Sequence, residues 1–306
     1  MPRLTRRDFI VSSAAAGLAA AAPWPSGVLA AEIRTKTIPA TGEAIPAVGM
    51  GTWITFNVGE DIRARNQRTE VLRNFFAQGG GMIDSSPMYG SSEAVIGYGL
   101  DKLGPQPGLF SATKVWTPFG DSAAEQVSAS ERLWGVRPFD LMQIHNLVSW
   151  QTHMDTLLEM KKQGRIRYIG VTTSHGRRHR ELERIMENEP IDFVQLTYNV
   201  LDREPESRLL PLARERGLAV IANRPFRRGA LFDRYQHKPL PAWINEFDAA
   251  NWAQFFLKFI ISHPALTCAI PATTRVDHML ENMGALHGRL PDAEMRARMA
   301  RYVEEL

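Results

Sequence analysis

Short apolar runs near residues 48–53, 81–86, 109–115, 139–145, 167–173, 192–197, 218–223 and 267–271 alternate with helix-like segments over short connections. That rhythm is the strongest constraint on the fold. A strand followed by a helix and another strand is the unit of a parallel sheet, and eight such units close into a barrel. Several of the helical segments carry a clear apolar stripe and a glycine stop. TEVLRNFFAQGG ends at Gly79-Gly80, and THMDTLLEMKKQGRI ends at Gly164. Ahead of the first barrel strand, the segment around Thr41-Gly42 reads as a β-hairpin. The tail over residues 291–306 reads as a final amphipathic helix. The expected architecture is therefore α/β, a (β/α)8 TIM barrel with an N-terminal hairpin and a C-terminal helix.

Three consecutive strands stop at residues that together can do chemistry. These are Asp84 with Tyr89 in GMIDSSPMYG, Lys114 in LFSATKVW and His145 in FDLMQIHN. In a parallel barrel the C-terminal strand ends converge on one mouth, where such folds keep their active sites. Tyrosine, with a pKa of about 10, is a poor acid near neutrality. A neighbouring ammonium favours the phenolate and is expected to bring that pKa down. A carboxylate can keep the lysine charged, and a histidine can orient a carbonyl oxygen.

On those residues, and on GTW at 51–53, QLTYNVLDR at 195–203 and IPATTR at 270–275, the chain resembles the aldo-keto reductase family. The resemblance runs from about residue 48 to residue 283. It implies a catalytic set of Asp84, Tyr89, Lys114 and His145, and no metal. It further implies a nicotinamide cofactor, NADPH with NADH also possible, and a small-molecule carbonyl substrate that is reduced to an alcohol. The alternative is a cofactor-binding or regulatory barrel with little turnover.

The same resemblance assigns cofactor contacts. Thr52 and Trp53 match the turn after the first strand, Thr172 and Thr173 the usual Ser-Asn, Gln195 a carboxamide partner, and Glu281 with Asn282 the adenine side. Arg227 and Arg228 are expected to face the pyrophosphate. Arg275, with Thr273 in the same loop, is expected at the adenosine ribose and its 2′-phosphate, unless it pairs with an acid. Asn223 stands where the family usually places a ring that stacks on the nicotinamide. Arg224 and Arg227 replace small residues, and Ala272 and His278 stand where many NADPH-binding members carry Lys and Arg. No Gly-x-Gly-x-x-Gly turn or Walker loop is present, which excludes Rossmann-type binding. Trp150, Tyr235 and Trp243 are expected either to line the substrate pocket or simply to bury long loops. The segment GALFDRYQHKPLPAWINEF reads as a loop overhanging the mouth.

Residues 1–30 read as an export signal, and residues 31–306 as the barrel. Arg6-Arg7 precede an Ala-rich apolar stretch, and Val28-Leu29-Ala30 offers small residues for cleavage after Ala30. The partners implied are the twin-arginine translocation (Tat) machinery and a signal peptidase, with a periplasmic destination. The apolar stretch is shorter than the ~20 residues a membrane span needs, so no stable insertion is expected after cleavage. The formal net charge of +3 falls to +1 without the leader, which leaves no basic excess to attract nucleic acid. Cys268 is the only cysteine, so the chain forms no internal disulfide.

Overall fold

A computed structural model describes residues 33–118 and 122–306. The expected signal segment lies outside the described residues. Strands β1 (Thr35–Thr37) and β2 (Ala44–Pro46) form an antiparallel hairpin. The barrel strands follow: β3 (Met50–Gly51), β4 (Met82–Asp84), β5 (Phe110–Val115), β6 (Phe139–Ile144), β7 (Ile166–Thr172), β8 (Phe193–Thr197), β9 (Ala219–Asn223) and β10 (Cys268–Ala269). They pair in parallel, each with its neighbour in sequence, from β3 round to β10. Bridges from Val48 to Ala269 and from Gly51 to Ala272 join the two ends and close the barrel. At that seam the chains run very close. A Cβ on Gly51 would lie 2.9 Å from the Ile270 carbonyl oxygen, so the first strand needs glycine there.

Helices cover the outside. They are α1 (Ile62–Ala77), α2 (Ser92–Leu103), α3 (Ala123–Trp134), α4 (Trp150–Lys162), α5 (His179–Asn188), α6 (Leu209–Arg216), α7 (Ala230–Tyr235), α8 (Trp252–Ile261), α9 (Val276–Gly284) and α10 (Ala293–Glu305). Local chemistry sets several boundaries. Asp61 caps α1 by accepting from the Ala64 N–H at 3.0 Å, and Asn251 caps α8 through the Gln254 N–H. The α1 helix begins seven residues before the run TEVLRNFF, because the cap and not the apolar stripe fixes its start.

The strands alternate along most of their length. One parity faces the helices and joins the large outer core. The other parity builds an inner cluster that includes Met82, Phe110, Leu141, Tyr168, Phe193 and Ile221, with Phe110, Tyr168 and Phe193 in mutual ring contact. Ile38 and Ile45 of the hairpin join this cluster, and the Tyr168 hydroxyl lies 2.8 Å from Thr41 Oγ1. The hairpin thus plugs the N-terminal end of the barrel. Two residues further along each strand, the same inward parity reaches Asp84, Ala112 and then Lys114, Gln143, Gln195 and Asn223. The inside changes from apolar to polar just where the strands end.

The segment expected to overhang the mouth is more regular than that. It holds α7 and a 3-10 turn over Ile244–Phe247. Its rings turn inward, Tyr235 packing on Phe256 and Trp243 on Phe255, because burying that aromatic area outweighs leaving it in water.

Candidate active site

Lys114, Asp84 and His145 are all buried at the mouth, and Tyr89 is half-buried beside them. Lys114 Nζ donates to Asp84 Oδ2 at 2.5 Å and to the Ser85 carbonyl at 2.7 Å. The other carboxylate oxygen, Asp84 Oδ1, accepts from Gln143 Nε2 and Gln195 Nε2, both at 2.9 Å. Thr52 Oγ1 donates to the Asp84 backbone carbonyl at 2.9 Å. Both oxygens of the buried carboxylate therefore have partners, three hydrogen bonds in all, which is what allows a charged pair to persist out of water. Burial pulls the Lys114 ammonium downward. Asp84 and Tyr89 more than reverse that pull, so the net shift is upward and the lysine stays charged.

Tyr89 sits in a 3-10 turn over Pro87–Tyr89, capped by Ser86, whose Oγ accepts from the Met88 N–H at 3.2 Å. Gly90 follows with φ of 62°, and a Cβ there would meet Asn57 Oδ1 at 2.4 Å. Asn57 fills that space because its Oδ1 accepts from the Ser91 N–H at 3.0 Å. Glycine thus lets the turn fold tightly enough to aim the ring inward. The Lys114 ammonium lies 5.2 Å from the Tyr89 ring centre, and the His145 ring meets it edge-on at 5.7 Å.

One expectation needs correction here. Lys114 does oppose the shift, but burial is the larger influence and the Tyr89 pKa is raised overall. The phenol is held neutral in the resting site. Burial also pushes His145 down to about 3, assisted by Lys114, so its imidazole is neutral too. Its Nδ1 lies 2.9 Å from Ser86 Oγ.

The residues expected around a cofactor lie on the same rim. Thr173 Oγ1 is buried with no hydrogen-bond partner. Thr172 Oγ1 instead accepts from the Asn146 N–H at 2.9 Å and so steadies the turn after His145. Gln195 Nε2 is committed to Asp84 and Gln143, while its Oε1 receives only a long 3.4 Å contact from Asn223. Asn223 does not stand free as a stacking ring would. It donates to the Thr173 carbonyl at 2.9 Å and accepts from Thr197 Oγ1 at 2.7 Å. Arg228 stacks on Trp53, its guanidinium carbon 3.8 Å from a ring centre. Arg227 forms a two-pronged pair with Asp202 at 2.9 Å, and Arg275 pairs with Asp277. Thr273 Oγ1 accepts from the Arg275 N–H at 3.1 Å. Asn282 is buried on α9 and Glu281 is exposed beside it.

A sequence model of the Aldo/keto reductase family matches residues 47–300. The chain belongs to the aldo/keto reductase family. It is an NAD(P)H-dependent oxidoreductase, as its relatives are. The methylglyoxal reductase YeaE of Escherichia coli (strain K12) is 29% identical over 272 residues, covering 86% of this chain and 93% of that protein. The NADH-specific methylglyoxal reductase of the same organism is 25% identical, covering 85% of this chain and 96% of that protein. An aldo/keto reductase from Klebsiella pneumoniae, solved in complex with NADP and acetate, superposes with a TM-score of 0.71 at 24% identity. That match covers 86% of this chain and 93% of the other.

Some residues that shape this aldo/keto reductase site were not singled out by sequence. Gln143 lies in FDLMQIH two positions before His145, and inward parity alone would have placed it next to Asp84, Lys114 and His145. Ser86 carried no such signal, since its contact with His145 spans two strand ends. Of the aromatics weighed for the pocket, Tyr235 donates to the Val303 carbonyl at 2.9 Å and Trp243 packs on Tyr302, so both serve loop and tail. Trp150 donates to Glu181 Oε1 at 3.1 Å.

Proposed function

We propose that the enzyme reduces an aldehyde or ketone to an alcohol with Tyr89 as proton donor, and that a leader routes it to the periplasm. The observation that carries the chemistry is the buried Lys114–Asp84 pair set against a neutral phenol. Burial keeps the proton on Tyr89 until an alkoxide begins to form. The Lys114 charge then stabilises the phenolate left behind, an interaction that grows as the proton moves and so lowers the barrier. Asp84, fixed by Gln143 and Gln195, keeps Lys114 charged and in place. Neutral His145 donates a hydrogen bond to the carbonyl oxygen without adding a second cation beside Lys114. Proton transfer of this kind contributes roughly 10²–10⁴-fold in rate.

A bound nicotinamide supplies the hydride that the carbonyl carbon receives. The rim residues fit that group. Thr173 Oγ1, buried and unpartnered, and the under-used Gln195 Oε1 suit a carboxamide. Arg224 carries a buried Nε with no partner, and it lies in the same loop as Arg227 and Arg228, a cationic rim for phosphates. These cations serve NADPH and NADH alike; Arg275, at the expected place of the 2′-phosphate, is what favours NADPH, while the NADH-specific relative keeps NADH within reach.

Fluorescence titration of the purified mature chain with NADPH and NADH, followed by a carbonyl panel, tests this reading. Tyr89→Phe is expected to lower kcat at least 100-fold with cofactor affinity near wild type. Retention of most of kcat would move the donor role elsewhere. Tight cofactor binding by the wild type with no turnover on any carbonyl would favour the regulatory barrel.

A further inference from the structure

Resting on this reading of His145 as the group that holds the carbonyl oxygen, we propose that Ser86 is a positioning residue that sets the tautomer of His145. Its hydroxyl donates to Nδ1 and so places the single ring proton on Nε2. A neutral imidazole has one N–H, and which nitrogen carries it is decided by the partner of the other. Among the described residues Nδ1 has one partner, Ser86 Oγ at 2.9 Å, and Nε2 has none.

The direction of that hydrogen bond follows from counting protons. Ser86 Oγ already accepts from the Met88 N–H at 3.2 Å as the cap of the turn that carries Tyr89. If Nδ1 were the donor, the serine oxygen would accept twice. Its own proton would then be left in a fully buried position with no acceptor. An unmade hydrogen bond at such a place is costly, of order 1–3 kcal/mol. With Ser86 as donor the serine proton and Nδ1 satisfy each other, and the Nε2–H is left for a ligand. The ring stays neutral because it is buried close to the Lys114 ammonium, so both nitrogens do not carry protons together. The result is a fixed Nε2–H on the ring that faces Tyr89 edge-on. One residue thereby couples the two partners of the carbonyl oxygen. Ser86 caps the turn that positions the phenol, and the same hydroxyl orients the imidazole.

The decisive measurement is a two-bond ¹H–¹⁵N spectrum of histidine-labelled mature protein, with His145→Gln used to assign the signal. The wild type should show the Nε2–H form alone, with Nδ1 as a hydrogen-bonded acceptor. Ser86→Ala should show a mixture of both tautomers. In the same variant kcat for carbonyl reduction is expected to fall about tenfold, with cofactor affinity unchanged, and Ser86→Cys, which keeps a weak donor, should recover part of that loss. A wild-type spectrum showing Nδ1–H overturns the proposal even if no variant folds. So does a pure Nε2–H spectrum in folded Ser86→Ala. The spectrum does not depend on turnover, so absence of reductase activity would count against the proposed function and leave the tautomer assignment standing.

Discussion

Tyr89 and His145 are both held neutral by burial against a charged lysine, and the two shifts have different consequences. For Tyr89 the shift keeps the phenol protonated, as the proposed donor role requires. For His145 it ties folding to pH. Its pKa is lowered from 6.5 to about 3, so below pH 6.5 the unfolded chain takes up a proton that the folded chain refuses. The contribution of neutral His145 to stability is thus present above pH 6.5 and lost progressively as pH falls towards 3. Denaturant midpoints of the wild type should drop more steeply between pH 7 and pH 4 than those of His145→Gln, and parallel slopes would show that the ring is not kept neutral. Arg275 presents a different balance. Its pair with Asp277 is exposed on both sides, 61% and 60%, so water screens it and a 2′-phosphate can take the guanidinium over. Arg275→Ala should weaken NADPH about tenfold and leave NADH nearly unchanged, while Asp277→Asn should tighten NADPH by releasing the arginine. Equal loss of both cofactors in Arg275→Ala would assign that side chain to holding its loop.

At the scale of elements, strand ends were legible and loops were not, for a physical reason. Period-2 alternation carries a side chain's direction through a strand, so Asp84, Lys114 and His145 could be placed at one mouth from sequence alone. Contacts across the barrel depend on its closure, which no single strand encodes. The donation of the Gln195 amide nitrogen to Asp84, from β8 across to β4, therefore had no signal in either strand. The sign of the Tyr89 shift was missed similarly, since the lysine was visible in sequence and the degree of burial was not. The stretch after β9 leaves two readings open in sequence, because its aromatic content suits a pocket wall as well as a packed loop. Tyr235 decides between these. It is fully buried and donates to the Val303 carbonyl of α10, so it fastens the tail helix to the loop. Tyr235→Phe should lower stability by about 1 kcal/mol, the net worth of one buried hydrogen bond. Its kcat/KM should match the wild type, and a changed substrate preference in that variant would return Tyr235 to the pocket.

The whole molecule folds without any covalent staple. Cys268 is its only cysteine and is buried in β10, so no step of maturation waits for an oxidising compartment. The C-terminal helix is held by non-covalent contacts, among them Arg203 with Glu304, Arg296 with Glu206 and the Tyr235 hydroxyl on the Val303 carbonyl. Such a barrel can complete its core, and take up its cofactor, in a reducing compartment. A ligand that binds only the folded state adds about 2.7 kcal/mol at a hundredfold excess over Kd. These properties suit the twin-arginine route, which carries folded cargo, and Arg6-Arg7 ahead of a weakly apolar Ala-rich stretch is the signal it requires. We propose that route. The wild type should appear in the periplasm with its N-terminus at Ala31, as N-terminal sequencing of the fractionated protein would show. Replacing Arg6 and Arg7 by lysine keeps the charge but removes the guanidinium pair, and full-length precursor should then accumulate in the cytoplasm, folded and able to bind NADPH. Unchanged export of that double variant would rule the route out. Precursor that is trapped but unfolded would mean that the leader, and not the barrel, governs when the chain folds.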